Sequence, residues 1–215
     1  MIGFKNNIHR RQMMASVVGL GAILMVPAFA QVHERPEALV ERLATELILS
    51  LKNDPELRNG NIEKINQLVD EKLMPHVNFT RMTASSVGRF WRQATPEQRQ
   101  RLQHEFKTLL IRTYSGALTH FNNQTLTMRP SRYRPEDKEV TIRSEVRGRG
   151  DPVQVDYRLE STPNGWKIYD LNVMGIWLVE TYRTQFAQEI NVRGIDGLID
   201  TLAQRNASNT SSAAR

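Results

Sequence analysis

Apolar residues recur every three or four positions over the first part of the chain, then every second position, then every three or four again. From Glu34, Leu39, Leu43, Leu47 and Leu51 repeat at four, beside Val40, Ala44 and Ile48. This predicts a helix that is apolar on two sides and ends at Asn53-Asp54-Pro55. Asn61 is placed to cap a second helix with Ile62, Ile65, Val69 and Leu73 on one face; Leu68 broadens that face and Pro75 stops it. Phe79, Met82, Val87, Phe90 and Trp91 follow no single period and predict one or two short helices. The longest helix opens at Thr95-Pro96-Glu97-Gln98, where Thr95 caps, Pro96 sits in the first turn and Gln98 closes a capping box. Leu102, Phe106, Leu109, Thr113 and Ala117 then form a stripe, widened by Leu110, Tyr114 and Phe121. A helix of about 25 residues is about 37 Å long, enough to wall a whole domain.

Beyond Asn122-Asn123 the period becomes two. Leu126 and Met128 begin a strand that ends before Pro135-Glu136-Asp137-Lys138. Val140, Ile142, Ser144 and Val146 alternate with Thr141, Arg143, Glu145 and Arg147, and Val153, Val155, Tyr157 and Leu159 alternate with Gln154, Asp156, Arg158 and Glu160. Asn164-Gly165 signals a hairpin into Trp166–Val173, which is apolar on both faces. Helical spacing resumes with Val179, Tyr182, Phe186 and Ile190, breaks at Arg193-Gly194, and resumes with Ile195, Leu198, Ile199 and Leu202. The expectation is an α+β chain with a curled four-stranded antiparallel sheet, one solvated sheet face and several covering helices, a pattern that permits an apolar cavity between sheet and helices but that an ordinary filled core also satisfies. The helical part spans 34–121, the sheet 124–174 and the C-terminal helices 178–205, in a single domain over 31–205, followed by a disordered tail at 206–215.

Residues 1–30 read as an export signal rather than as fold. Lys5, His9, Arg10 and Arg11 precede an apolar run from Met13 to Val26, and Ala28-Phe29-Ala30 supplies a cleavage pattern that starts the mature chain at Gln31. The run is short for a membrane span. Much of the +6 formal charge belongs to this leader, and the remaining 26 basic and 23 acidic groups leave about +3. The chain has no cysteine, which excludes disulfides, thiol chemistry and a lipid-modified cysteine. A periplasmic location suits these features.

Candidate chemistry is sparse. His33, His76, His104 and His120 show no metal-ligand spacing, and no nucleophile elbow, phosphate loop or dinucleotide fingerprint is present. Between Asn122 and Asp170 nine basic residues are interspersed with eight acidic ones, so no nucleic-acid surface accumulates. Asp170 and Asp156 are the candidates for a general base, beside Tyr157 or Tyr169, with Asp156 expected on the wet face. An enzyme of that kind needs a carboxylate in a closed pocket. A purely structural adaptor instead needs a filled core.

The order of residues resembles a known family. Val87-Gly88-Arg89-Phe90-Trp91-Arg92-Gln93-Ala94-Thr95-Pro96-Glu97-Gln98-Arg99, Phe106-Lys107-Thr108-Leu109-Leu110 and Thr113-Tyr114 are similar to segments of the MlaC, or toluene-tolerance auxiliary, family. So are Pro152-Val153-Gln154-Val155-Asp156-Tyr157, Trp166-Lys167-Ile168-Tyr169-Asp170, Tyr182-Arg183-Thr184-Gln185-Phe186 and Gly194-Ile195-Asp196-Gly197-Leu198-Ile199. The resemblance implies an NTF2-like curled sheet that encloses phospholipid tails in the periplasm, as part of the Mla system for outer-membrane lipid asymmetry. It implies two partners besides the phospholipid: an outer-membrane lipoprotein–porin complex and an inner-membrane ATP-binding-cassette transporter carrying an MCE-domain protein. It supplies no catalytic residue and no cofactor. One departure is Gly175-Ile176-Trp177-Leu178, where the family usually has a small residue, often serine, after the last strand.

On this reading the lipid tails run between the long helix and the inward face of the sheet. The expected lining is Phe106, Leu109, Leu110, Thr113 and Tyr114 from the helix, and Val140, Ile142, Val155, Tyr157, Leu159, Ile168 and Leu171 from the strands. Ile176, Trp177 and Phe186 are expected near one end. Strand parity makes the choice, because the other face carries Arg143, Glu145, Asp156 and Arg158, whose burial against hydrocarbon is costly. Ile168 and Leu171 share a face only if the last strand twists or bulges.

Overall fold

The computed structural model describes residues 34–118, 124–148 and 151–212. The expected leader over 1–30, its cleavage before Gln31, and Phe121 at the end of the long helix lie outside the described residues.

Helix α1 (Pro36–Asn53) starts on a proline at its first turn and buries Leu39, Val40, Leu43 and Leu51. Asp54 accepts from the Glu56 amide (2.8 Å) to start the short α2 (Pro55–Arg58), and Asn61 accepts from the Glu63 and Lys64 amides to start α3 (Ile62–Leu68). A π-turn (Val69–Leu73) and a 3-10 turn (Met74–His76) lead to α4 (Phe79–Val87), capped by Asn78 and ended by Gly88 at φ 65°. After a 3-10 turn (Gly88–Arg92), α5 (Pro96–Leu118) opens on the expected capping box. The Thr95 amide donates to Gln98 Oε1 (3.0 Å), and the Gln98 amide to Thr95 Oγ1 (3.2 Å).

The sheet is an antiparallel meander in the order β1 (Thr125–Met128), β2 (Glu139–Arg147), β3 (Val153–Thr162), β4 (Gly165–Val173), β5 (Ile176–Trp177). It therefore has five strands rather than four, the fifth being a two-residue edge pairing with Asn172 and Val173. Helix α6 (Leu178–Ser212) is broken at Gly194, whose φ of 73° and ψ of −177° are non-helical, as Arg193-Gly194 suggested. The helix then continues past residue 205, where a disordered tail was expected. Asn206 docks its amide on the Glu105 carboxylate (2.7 Å) and backbone carbonyl (3.0 Å), which anchors the last turns to α5.

Three apolar clusters hold these elements together. In the first, α4, α5 and α6 close around Phe106, which has no exposed surface and lies 4.9 Å from the Tyr182 ring, 5.2 Å from Phe186 and 5.8 Å from Phe79. In the second, Leu39, Val40 and Leu43 of α1 pack on Val140, Ile142, Leu159 and Ile168 of the sheet. The third joins Leu51, Leu57, Ile65 and Leu68 to Ile111 of α5.

One irregularity decides which residues face inward. The β3–β4 register runs Tyr157↔Leu171 and Arg158↔Asp170, then Leu159↔Ile168, so Tyr169 has no partner opposite. This bulge resets the alternation, putting Ile168 and Leu171 on one face and Asp170 and Asn172 on the other. The lead-in to α4 docks there: Val77 bridges to Ile168, and the Asn78 amide donates to the Ile168 carbonyl (2.8 Å). The charged sheet face stays wet over Arg143, but over β3 and β4 it is largely covered. Asp156 is only 7% exposed and accepts from Gln154 Nε2 (3.1 and 3.2 Å), which corrects its expected place in solvent.

Candidate functional site

Where the three clusters meet, packing does not close. A cavity of about 290 Å³ remains between α1 and the inner face of the sheet. Helix α1 lines it with Val40, Leu43, Ala44, Leu47, Ile48 and Leu51, every one on a side turned from solvent or only partly exposed. The turns before α4, and α4 itself, add Leu73, Val77 and Met82. The strands add Leu126, Val146, Val155, Tyr157, Ile168 and Leu171. The lining is almost wholly hydrocarbon. Such a surface binds by excluding water.

Tyr157 supplies the one hydroxyl among these side chains. Burial pushes its pKa above the ordinary tyrosine value, and the neighbouring Ser144 hydroxyl pulls the other way. Ser144 has no exposed surface and donates to the Val155 carbonyl (3.0 Å).

Four of the expected lining residues meet at this cavity: Val155, Tyr157, Ile168 and Leu171. Val140, Ile142 and Leu159 share their face but are sealed beneath the N-terminal half of α1. The long helix is placed elsewhere. Phe106, Leu109 and Phe186 are buried in the α4–α5–α6 cluster with Leu110 packed against it, Thr113 is exposed, and Tyr114 is 37% exposed. Ile176 is 58% exposed at the sheet edge. Trp177 lies 3.8 Å under the Arg158 guanidinium and does not border the cavity, so the departure from the family pattern leaves the cavity wall untouched. The α1 residues were missed as lining. Their signal was the two-sided stripe itself: a helix apolar on two sides must face two things.

Neither aspartate reaches the cavity. Asp170 is 1% exposed and accepts from the Val179 amide (3.0 Å), the Leu171 amide (2.9 Å) and Arg158 (3.1 Å). Burial pushes its pKa up while those donors pull it down. It caps α6 and anchors Arg158, and the general base required by the enzyme alternative is not assembled in the cavity. On the far side of the sheet Arg81 pairs with Glu139 and Glu160 and stacks on Tyr169, and Tyr169 donates to Glu139 (2.9 Å). These contacts hold α4, and with it Met82, against the sheet.

The family model described as MlaC protein matches residues 41–204, which include most of α1, the sheet and most of α6. The chain belongs to the MlaC family. It is 30% identical to the toluene tolerance protein ttg2D of Pseudomonas putida over 188 residues, covering 85% of this chain and 87% of that one. It is 22% identical over 184 residues to the intermembrane phospholipid transport system binding protein MlaC of Haemophilus influenzae, covering 84% and 86%. Its fold matches the structure of a phospholipid-binding protein from Ralstonia solanacearum in complex with a phospholipid, with a TM-score of 0.80 and 48% identity over 82% of this chain and 99% of that one. No helix among the described residues is long and apolar enough to cross a membrane.

Proposed function

We propose that this MlaC-family chain carries phospholipid through the periplasm, holding acyl chains in the cavity between α1 and the sheet. The observation that carries the reading is the hydrocarbon lining of that cavity, in a fold whose relative at 48% identity is described in complex with a phospholipid. Each methylene removed from water contributes about 0.8 kcal/mol, so an exposed chain of about 16 carbons costs about 12 kcal/mol. A carrier must therefore cover its cargo and release it only when docked. The leader at 1–30 would direct export, and the mature domain would exchange lipid with an outer-membrane lipoprotein–porin complex and an inner-membrane MCE-domain transporter. No covalent step and no cofactor is needed. The headgroup stays outside the cavity, and the proposed binding residues are the α1 and strand side chains named above.

The test is extraction of lipid from protein purified from its native periplasm, with native mass spectrometry of the folded protein. Delipidated protein is then mixed with phosphatidylethanolamine–phosphatidylglycerol vesicles. We expect co-purified phospholipid and uptake from the vesicles. Ligand-free protein that takes up nothing from vesicles overturns the reading.

A further inference from the structure

The cavity wall is apolar except at one point. Tyr157 lies mid-strand, opposite Ile142 on β2 and Leu171 on β4, with its ring among the lining residues. Its phenol is the only O–H or N–H that a lining side chain supplies. A phenylalanine would fill almost the same volume, so packing against hydrocarbon does not account for a hydroxyl here. The neighbouring polar group is Ser144 on the same face of β2, fully buried among Ile142, Val146 and the cavity strands. Ser144 spends its single proton on the Val155 carbonyl (3.0 Å). Towards Tyr157 it can therefore only accept, and the phenol proton is the one donor that a cargo molecule can compete for.

The acceptors of a diacyl phospholipid narrow the choice. The phosphate and headgroup are strongly hydrated and costly to bring into an apolar cavity. The ester carbonyls are attached directly to the acyl chains and are drawn inward with them. We propose that the Tyr157 hydroxyl donates to an ester carbonyl of the bound lipid, so that the cavity selects ester-linked chains over ether-linked ones. This rests on the phospholipid-carrier reading above and adds a chemical selectivity to it. Tyr157 sets how deep the linkage sits, and the hydrocarbon wall accepts whatever chain follows. A net hydrogen bond of ordinary strength corresponds to a preference of about three- to tenfold.

Mature protein, delipidated, is incubated with vesicles holding equal amounts of dipalmitoyl phosphatidylethanolamine and its dihexadecyl ether analogue. These share headgroup and chain length and differ in the two carbonyls. Bound lipids are extracted and quantified by mass spectrometry. For the wild type we expect the ester lipid to be enriched about three- to tenfold over the vesicle ratio. For Tyr157→Phe we expect equal loading of the two lipids, read as their ratio at whatever total occupancy the variant reaches. Equal loading by the wild type overturns the proposal without any variant, and enrichment that persists in folded Tyr157→Phe overturns it as well. Uptake of neither lipid by the wild type instead overturns the carrier reading on which the proposal rests.

Discussion

Filling the cavity from α1 should separate lipid capacity from fold stability. Ala44 is the smallest lining side chain and sits between Leu43 and Leu47 on the cavity side of the helix. A space of about 290 Å³ lies beside it. Ala44→Phe would place a ring in that space. Burying it contributes about 2–3 kcal/mol, against about 0.5 kcal/mol of helix propensity. The lipid-free variant should therefore gain about 1.5–2.5 kcal/mol, which raises Tm by about 3–10 °C for a domain of this size. Lipid bound per folded protein should fall steeply, because the ring and an acyl chain compete for one space. Scanning calorimetry on delipidated protein reads the first quantity and native mass spectrometry the second. Thr45→Phe, on the neighbouring exposed position, is the control and should leave both nearly unchanged. A lower Tm with undiminished lipid loading would refute the reasoning, because overpacking against protein costs about 1–3 kcal/mol and would mean no space faces Ala44.

Two further predictions probe the elements around the cavity. Phe106→Ala removes the ring at the centre of the α4–α5–α6 cluster and should cost about 3–5 kcal/mol in urea denaturation, with lipid per folded molecule unchanged, because Phe106 does not reach the cavity. Hydrogen bonds from Arg81 and then Tyr169 hold the Glu139 carboxyl below the ordinary glutamate range. A carboxylate depressed in the fold contributes stability that is present above its unfolded value and lost as pH falls through its folded one. The wild type should therefore lose stability below about pH 4, and acid titration followed by circular dichroism should show a shallower loss for Glu139→Gln.

Strand parity was legible in the sequence because a side chain's face alternates with period two whatever surrounds it. The alternation of Val155 and Tyr157 with Asp156 and Arg158 placed the apolar pair on the cavity side before any contact was known. Local signals worked for the same reason: the Thr95–Gln98 box, the Asn61 cap and the Gly194 break act over a few residues of backbone. The helix over 206–212 was not legible because Asn206 is small and polar in sequence, and only the nearby Glu105 makes it a docking residue.

The assignment of cavity wall to helix was decided by tertiary structure alone. Both α1 and α5 carry apolar stripes long enough to cover a sheet, and a one-dimensional pattern does not say which stripe meets which surface. The stripe of α5 is matched by Phe79, Tyr182 and Phe186 from two other helices, whose rings close on Phe106 and leave no space. The stripe of α1 is anchored at both ends, by Leu39–Leu43 on the sheet and by Leu51 on α3 and α5, while its middle spans a gap with Ala44 facing it. The bulge at Tyr169 was equally invisible as a position, although the double apolar face of the last strand required something like it. It follows from the docking of Val77 and Asn78 on Ile168, a contact between residues some ninety positions apart. The sequence determined which residues are apolar and on which face of their own element they lie. The gap depends on how three separately packed clusters fit together, and that exists only in the assembled fold.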